Sequence, residues 1–227
     1  MILTGHPAYP PVAWAAGSTL EGGGIVVVRR LARDHHVGLK VVNEGTWENA
    51  QTAVAHGTAD AIVGIYETQQ RKSFLNYVHP ALAPDPSAVL IRPGEKFVYK
   101  NWNSLIGKRG VAGAGESYGP KFDAFAASKL TIVRVATLQD VYQTVIDKKA
   151  DYGLSGYYAA LTSAPNGKIA FATKDFVTEG LYLAFGKQTP CGSALSSAFA
   201  AEIQTLRSSG TIDKIFARNL KRYERTH

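Results

Sequence analysis

The chain has 227 residues, 45% of them hydrophobic and 19% charged, with a formal net charge of +7. That length suits two lobes of about a hundred residues each, and that composition excludes a disordered chain. The longest apolar runs, such as IVVV at 25–28, are far too short to span a membrane, and the single cysteine, Cys191, rules out an internal disulfide or a multi-cysteine metal site.

The predicted elements alternate between strand and helix. MILTG is a strand broken at His6-Pro7, and GHPAYPPVAW after it is unusually rich in proline and large rings for a connector. GIVVVRRLARDHH has helical spacing, with Val28, Leu31 and Ala32 on one face. LKVVNEG is a strand, and Thr46 caps a helix from Trp47 to His56 that ends at Gly57. DAIVGIY is a buried strand, followed by a turn or short helix over Thr68 to Phe74. SAVLIRPG, residues 87–94, opens a second series. It contains a linker helix near Trp102, the strand RGVAG, a helix over Tyr118 to Ser128, the strand TIVRV, a helix over Leu138 to Lys148 and the strand DYGLSG. GLYLAFGK, residues 180–187, is another long apolar strand, and Ser193 to Tyr223 is mostly helix, with Gly210 between two pieces.

This order predicts an α/β protein of two lobes, each a mixed sheet flanked by helices. Lobe one is discontinuous, residues 1–88 and 186–227, and lobe two, 89–185, is inserted into it. Two extended crossings would act as a hinge, with a small-ligand cleft between the lobes. Lys and Arg are dispersed and no basic run exceeds two residues, so the net charge reads as a solvated surface and no nucleic-acid partner is expected.

The succession GHPAYPPVAW, GTWENAQTAVAHGTADAIVGIYETQQR, LIGKRGVAGAGESYG and VYQTVIDKKADYGLSG resembles family 3 of the extracellular solute-binding proteins, the polar-amino-acid receptors of ABC importers. The resemblance implies a type II periplasmic-binding-protein fold, an amino acid or related small carboxylate as ligand, an ABC permease as partner, a monomer, and a periplasmic protein whose signal has been removed. The opening MILTGHPAYPP has neither the basic nor the apolar region of a secretory signal.

Arg71, in ETQQR, matches the arginine that grips the ligand carboxylate in the family, and its rigid fork of donors suits that task. Gly115, Glu116 and Ser117 lie between a strand and a helix, where backbone N–H groups form an anion site and Ser117 can also donate. Tyr9, Trp14, Trp47 and Tyr66 can form an aromatic wall, with Tyr9 and Trp47 at positions whose rings sandwich the ligand in the family.

Two departures bear on the ligand. The family's ammonium-binding aspartate falls at Gly156, beside Tyr157, and its serine-rich stretch is replaced by GIYET, with Gly64 and Tyr66. Either Glu67 or Glu116 takes the amine, or the ligand has no α-ammonium. His6 lies where binders of cationic side chains carry an acid.

No enzyme is expected. Ser117 lacks a nucleophile motif, Cys191 in TPCG has no evident histidine partner, and the adjacent His35 and His36 point different ways on a helix. Neither cofactor nor metal is implied. The rival readings are the sensing domain of a membrane receptor kinase and a dehydratase using Glu67 and Glu116 as an acid–base pair.

Overall fold

The computed structural model describes residues 1–226. In chain order its elements are β1 (Ile2–Gly5), β2 (Ala8–Tyr9), β3 (Ala13–Ala16), β4 (Thr19–Glu21), α1 (Gly23–Asp34), β5 (Lys40–Val41), α2 (Trp47–Ala55), β6 (Ala61–Ile65) and β7 (Leu75–Ile91). They continue with β8 (Arg109–Gly113), α3 (Pro120–Lys129), β9 (Thr131–Val135), α4 (Leu138–Ile146), β10 (Tyr152–Gly156), α5 (Tyr157–Ser163), β11 (Ala170–Gly186), α6 (Gly192–Ser208) and α7 (Thr211–Thr226). Short 3-10 turns lie at Arg71–Ser73 and Trp102–Leu105.

The chain divides into two compact units, residues 1–84 with 180–227, and residues 85–179. Both divisions fall inside the long strands β7 and β11, a few residues earlier than the apolar runs suggest.

In the first unit, β1 pairs in parallel with β5 and β6, and β6 pairs antiparallel with the end of β11. All five residues of β6 are buried, as expected of a strand covered on both faces. Ile62 and Ile65 pack with Trp47, Ala50 and Val54 of α2, while Val63 lies against Gly24 of α1. Helix α2 starts where Thr46 accepts a hydrogen bond from the Asn49 N–H at 3.1 Å. A separate antiparallel ribbon, β2-β3-β4, begins within the proline-rich stretch that follows β1.

The second unit has β10 at its centre, antiparallel to β7 and parallel to β8, with β9 beyond β8. Period-two alternation divides its apolar residues between two faces. Val89, Ala112, Tyr152 and Leu154 meet Phe122 of α3 on one face, whereas Ala88, Leu90 and Val111 meet Val141 and Val145 of α4 on the other.

One local expectation needs correction, and two stretches for which the sequence suggests no element prove to be ordered. Helix α3 begins at Pro120 rather than Tyr118, because Gly119 at φ 90° cannot be a helical residue and proline suits the first turn. Strand β7 extends back to Leu75 through Pro80, Pro84 and Pro86. Helix α5 and the first half of β11 occupy residues 157–179, for which the sequence suggests no element.

Candidate ligand site

Of the residues picked out in the first unit, Trp47 and Tyr66 meet at Arg71. Arg71 as a residue is 5% exposed; its Nε donates to Gln51 Oε1 at 3.0 Å and one Nη donates to the Tyr66 carbonyl at 3.2 Å. Both of these acceptors are neutral, and together they orient the group. Its Cζ lies 5.6 Å from the centroid of the Trp47 ring, within cation–π range. The backbone entering this turn is held by Thr68, whose hydroxyl accepts from the Arg71 N–H at 3.2 Å.

Rings extend the cluster. His6 leaves β1 and places its imidazole 5.1 Å from Trp47 and 5.3 Å from Tyr9. Its Nδ1 accepts from the Ala8 N–H at 2.9 Å, which puts the proton of the neutral ring on Nε2. The Tyr9 and Tyr66 hydroxyls stand 3.5 Å apart. The Trp47 indole N–H is buried without a hydrogen-bond partner among the described residues. The Tyr66 carbonyl also accepts from Tyr77 at 2.9 Å.

Burial pushes the Tyr77 phenol up to about 12, against a smaller downward pull from Arg71. Burial likewise raises the Tyr152 phenol to about 12. An unfolded tyrosine ionises near 10, so between about pH 10 and 12 the unfolded chain sheds protons that the native protein retains. Stability is therefore expected to fall as pH rises through that window and to be unaffected by these groups below it. Urea titrations at successive pH values should show the decline, shallower in Tyr77→Phe; an identical slope in that variant would remove Tyr77 from the account.

Three first-unit candidates lie elsewhere or act differently. Trp14 is opposite Ala8 and Ala13 opposite Tyr9 in the β2–β3 ribbon, so Tyr9 and Trp14 project from opposite faces. The Trp14 ring packs edge-on against Tyr223 of α7 at 5.2 Å. Gly64 has φ 79°, and a Cβ there would come within 2.5 Å of Val12 Cγ1, so it is a packing glycine. Glu67 is ion-paired with Lys72 at 2.6 Å and lies 3.5 Å from His79 Nε2.

In the second unit, Gly115 is exposed at φ 72° in the turn after β8, and Arg134 donates to the Gly113 and Glu116 carbonyls at 3.0 Å each. The expectation that Ser117 offers its hydroxyl to a ligand does not fit this arrangement. That hydroxyl donates to the Asp123 carboxylate and accepts from the Gly119 N–H at 3.1 Å. The Tyr118 N–H also donates to Asp123, at 2.9 Å. The Glu179 carboxylate lies directly against Gly119. Two acids thus already stand at the start of α3, where the helix dipole favours them. Burial, and then the neighbouring Asp123, raise the Glu179 pKa.

Gly156 ends β10 with an ordinary backbone, φ −57° and ψ 137°, so its conformation does not demand glycine. The Tyr157 ring contacts Tyr158 and Phe171, and Lys174 Nζ lies 5.9 Å from its centroid.

Sequence reasoning missed Gln51 and Tyr77. Gln51 was within reach: it follows Trp47 by four residues on α2, and that spacing places both on one face. Asp85 was also passed over; at 2% exposure it is, with Arg71, one of two charged side chains buried among the described residues.

A sheet-and-helix fold in two units, with a buried arginine set among aromatic rings, is the architecture of solute-binding proteins, and comparison with known proteins agrees. The chain belongs to family 3 of the bacterial extracellular solute-binding proteins, whose model matches residues 1–222. Its fold is the two-lobe α/β fold of type II periplasmic binding proteins. It is similar to the amino acid ABC transporter substrate-binding protein AbpA from Streptococcus pneumoniae bound to L-arginine, with TM-score 0.82, 18% identity, and coverage of 98% of this chain and 95% of that one. A mutant of ArgBP from T. maritima superposes with TM-score 0.81 and 17% identity, covering 97% and 95% of the two chains. A histidine kinase sensor domain with similarity to periplasmic binding proteins gives TM-score 0.80 and 15% identity, covering 96% and 94%. No match is found among curated protein sequences. Among the described residues, no helix is long and apolar enough to cross a membrane.

Proposed function

We propose that the protein is the periplasmic receptor of an ABC importer, capturing a small carboxylate-bearing solute, an amino acid or a derivative of one. The observation that carries this reading is Arg71: a buried guanidinium, oriented by Gln51 and the Tyr66 carbonyl and set over Trp47. A fixed fork of donors beside ring faces suits a carboxylate attached to an organic body. Tyr9, Tyr66 and Trp47 supply the rings, with Gly115, Glu116, Gly156 and Tyr157 as second-unit contacts. Structural relatives solved with arginine and with glutamine support the amino-acid class.

The receptor works as a monomer with an inner-membrane permease, releases its solute unchanged, and binds by hinge closure through the crossings inside β7 and β11. A solute bound only by the native state raises the melting temperature, by an amount equivalent to about 2.7 kcal/mol at a hundredfold excess over Kd. A thermal-shift screen over amino acids and small carboxylates is expected to yield at least one such rise, confirmed by calorimetry and by recovery of intact solute. A panel without a single shift would defeat the carboxylate reading. The likeness to a histidine kinase sensor domain supports a second reading, in which the same site senses rather than delivers. Adjoining genes for a permease and an ATPase favour delivery; a kinase fused to this domain favours sensing.

A further inference from the structure

Helix α7 carries an extended basic face that solute binding does not use. Lys214, Arg218, Lys221 and Arg225 recur at intervals of four, three and four residues, so they fall within about 60° of one face over about 16 Å. All four are exposed, and none makes an ion pair or side-chain hydrogen bond among the described residues. Their neighbour Arg222, by contrast, is bound to Glu21 at 2.6 Å. Ile212, Phe216 and Asn219 are buried on the opposite side and Tyr223 packs on Trp14, so the helix is anchored with its cations turned outward.

We propose that this face docks the protein on an anionic phospholipid membrane. The four cations, with Ala217 and Glu224, line a shallow groove of about 590 Å³. Every lining residue comes from α7 itself, so no second element converges on a ligand of fixed shape, as a small-molecule site requires. A fluid layer of phosphates can instead arrange itself along a straight row of positive charge. Ala217 is the one apolar residue in the lining, and no aromatic or large aliphatic side chain is there to supply the anchors on which protein partners rely. Attachment would therefore be electrostatic, reversible and screened by salt. A member of an extracellular bacterial family meets such a surface in the course of its work.

Co-sedimentation with phosphatidylcholine vesicles containing phosphatidylglycerol tests the proposal. At low salt the protein is expected to partition onto these vesicles and not onto pure phosphatidylcholine. The combined variant Lys214→Gln, Arg218→Gln, Lys221→Gln, Arg225→Gln should lose roughly tenfold or more of that partition with its melting temperature unchanged. A second variant, Arg218→Lys with Arg225→Lys, should retain it, because charge rather than guanidinium geometry is at work. Equal binding to neutral vesicles, or undiminished binding by the glutamine variant, overturns the proposal. So does a poly-glutamate peptide that binds this face more tightly than the vesicles do, which would assign it to an acidic polypeptide.

Discussion

Replacing Arg71 by alanine is expected to weaken solute binding at least tenfold while leaving the protein folded. A hydrogen bond to a charged group contributes about 1.5–3 kcal/mol, and each 1.4 kcal/mol is a factor of ten in affinity. Two of the groups that hold the guanidinium have other recourse once it is removed, which favours a folded variant. The Tyr66 carbonyl keeps its 2.9 Å bond from Tyr77, and the Gln51 side chain is only half-buried, with its amide already donating to the Trp47 carbonyl at 3.3 Å. Arg71→Lys should fall almost as far, since an ammonium restores charge but not two parallel donors. Titration calorimetry against the solute from the thermal screen measures both variants, and circular dichroism checks the fold. Wild-type affinity in Arg71→Ala would remove the arginine from the site and with it the carboxylate premise.

The parts of this arrangement that were legible in the sequence are those set by short-range pattern. Alternation of strand and helix followed from runs such as AIVGI and from the Thr46 cap, both local features. Whether a residue faces the cluster depends on register, which the sequence states only indirectly. Tyr9 and Trp14 lie in one proline-rich stretch and read as one wall, yet the β2–β3 pairing sends their rings to opposite faces. Ser117 read as a ligand donor because it follows a glycine turn and precedes a helix. The competitor for its hydroxyl, Asp123, is six residues away and comes into range only once Gly119 turns the chain into α3. The first half of β7 was illegible for a different reason. Prolines cannot donate to a ladder and so argue against a strand, but they are compatible with an extended segment where that donor is not needed.

The glycine at the start of α1 should prove the most sensitive backbone position near the Tyr9 turn. Gly22 has φ 136°, and a Cβ there would come within 2.3 Å of the Val12 carbonyl oxygen and 2.8 Å of Ala13 Cα. Those are backbone atoms, so no side chain can swing aside to relieve the contact. Strained backbone costs on the order of 1–3 kcal/mol and overpacking about as much again, so Gly22→Ala is expected to lose roughly 3–5 kcal/mol, against the 5–15 typical of a whole domain. The damage should also reach the aromatic cluster. The Val12 carbonyl accepts from the Gly24 N–H at 2.9 Å and the Pro11 carbonyl from the Gly23 N–H at 2.7 Å, bonds that tie the turn after Tyr9 to the start of α1. Displacing Val12 slackens both, so solute affinity should drop together with the urea midpoint. Gly17→Ala supplies the control: φ there is 64°, but nothing lies within 4 Å of the added methyl, so it should lose only about 1 kcal/mol and keep full affinity. Equal losses in the two variants would mean that the dihedral alone matters at Gly22 and that close approach to Val12 contributes nothing.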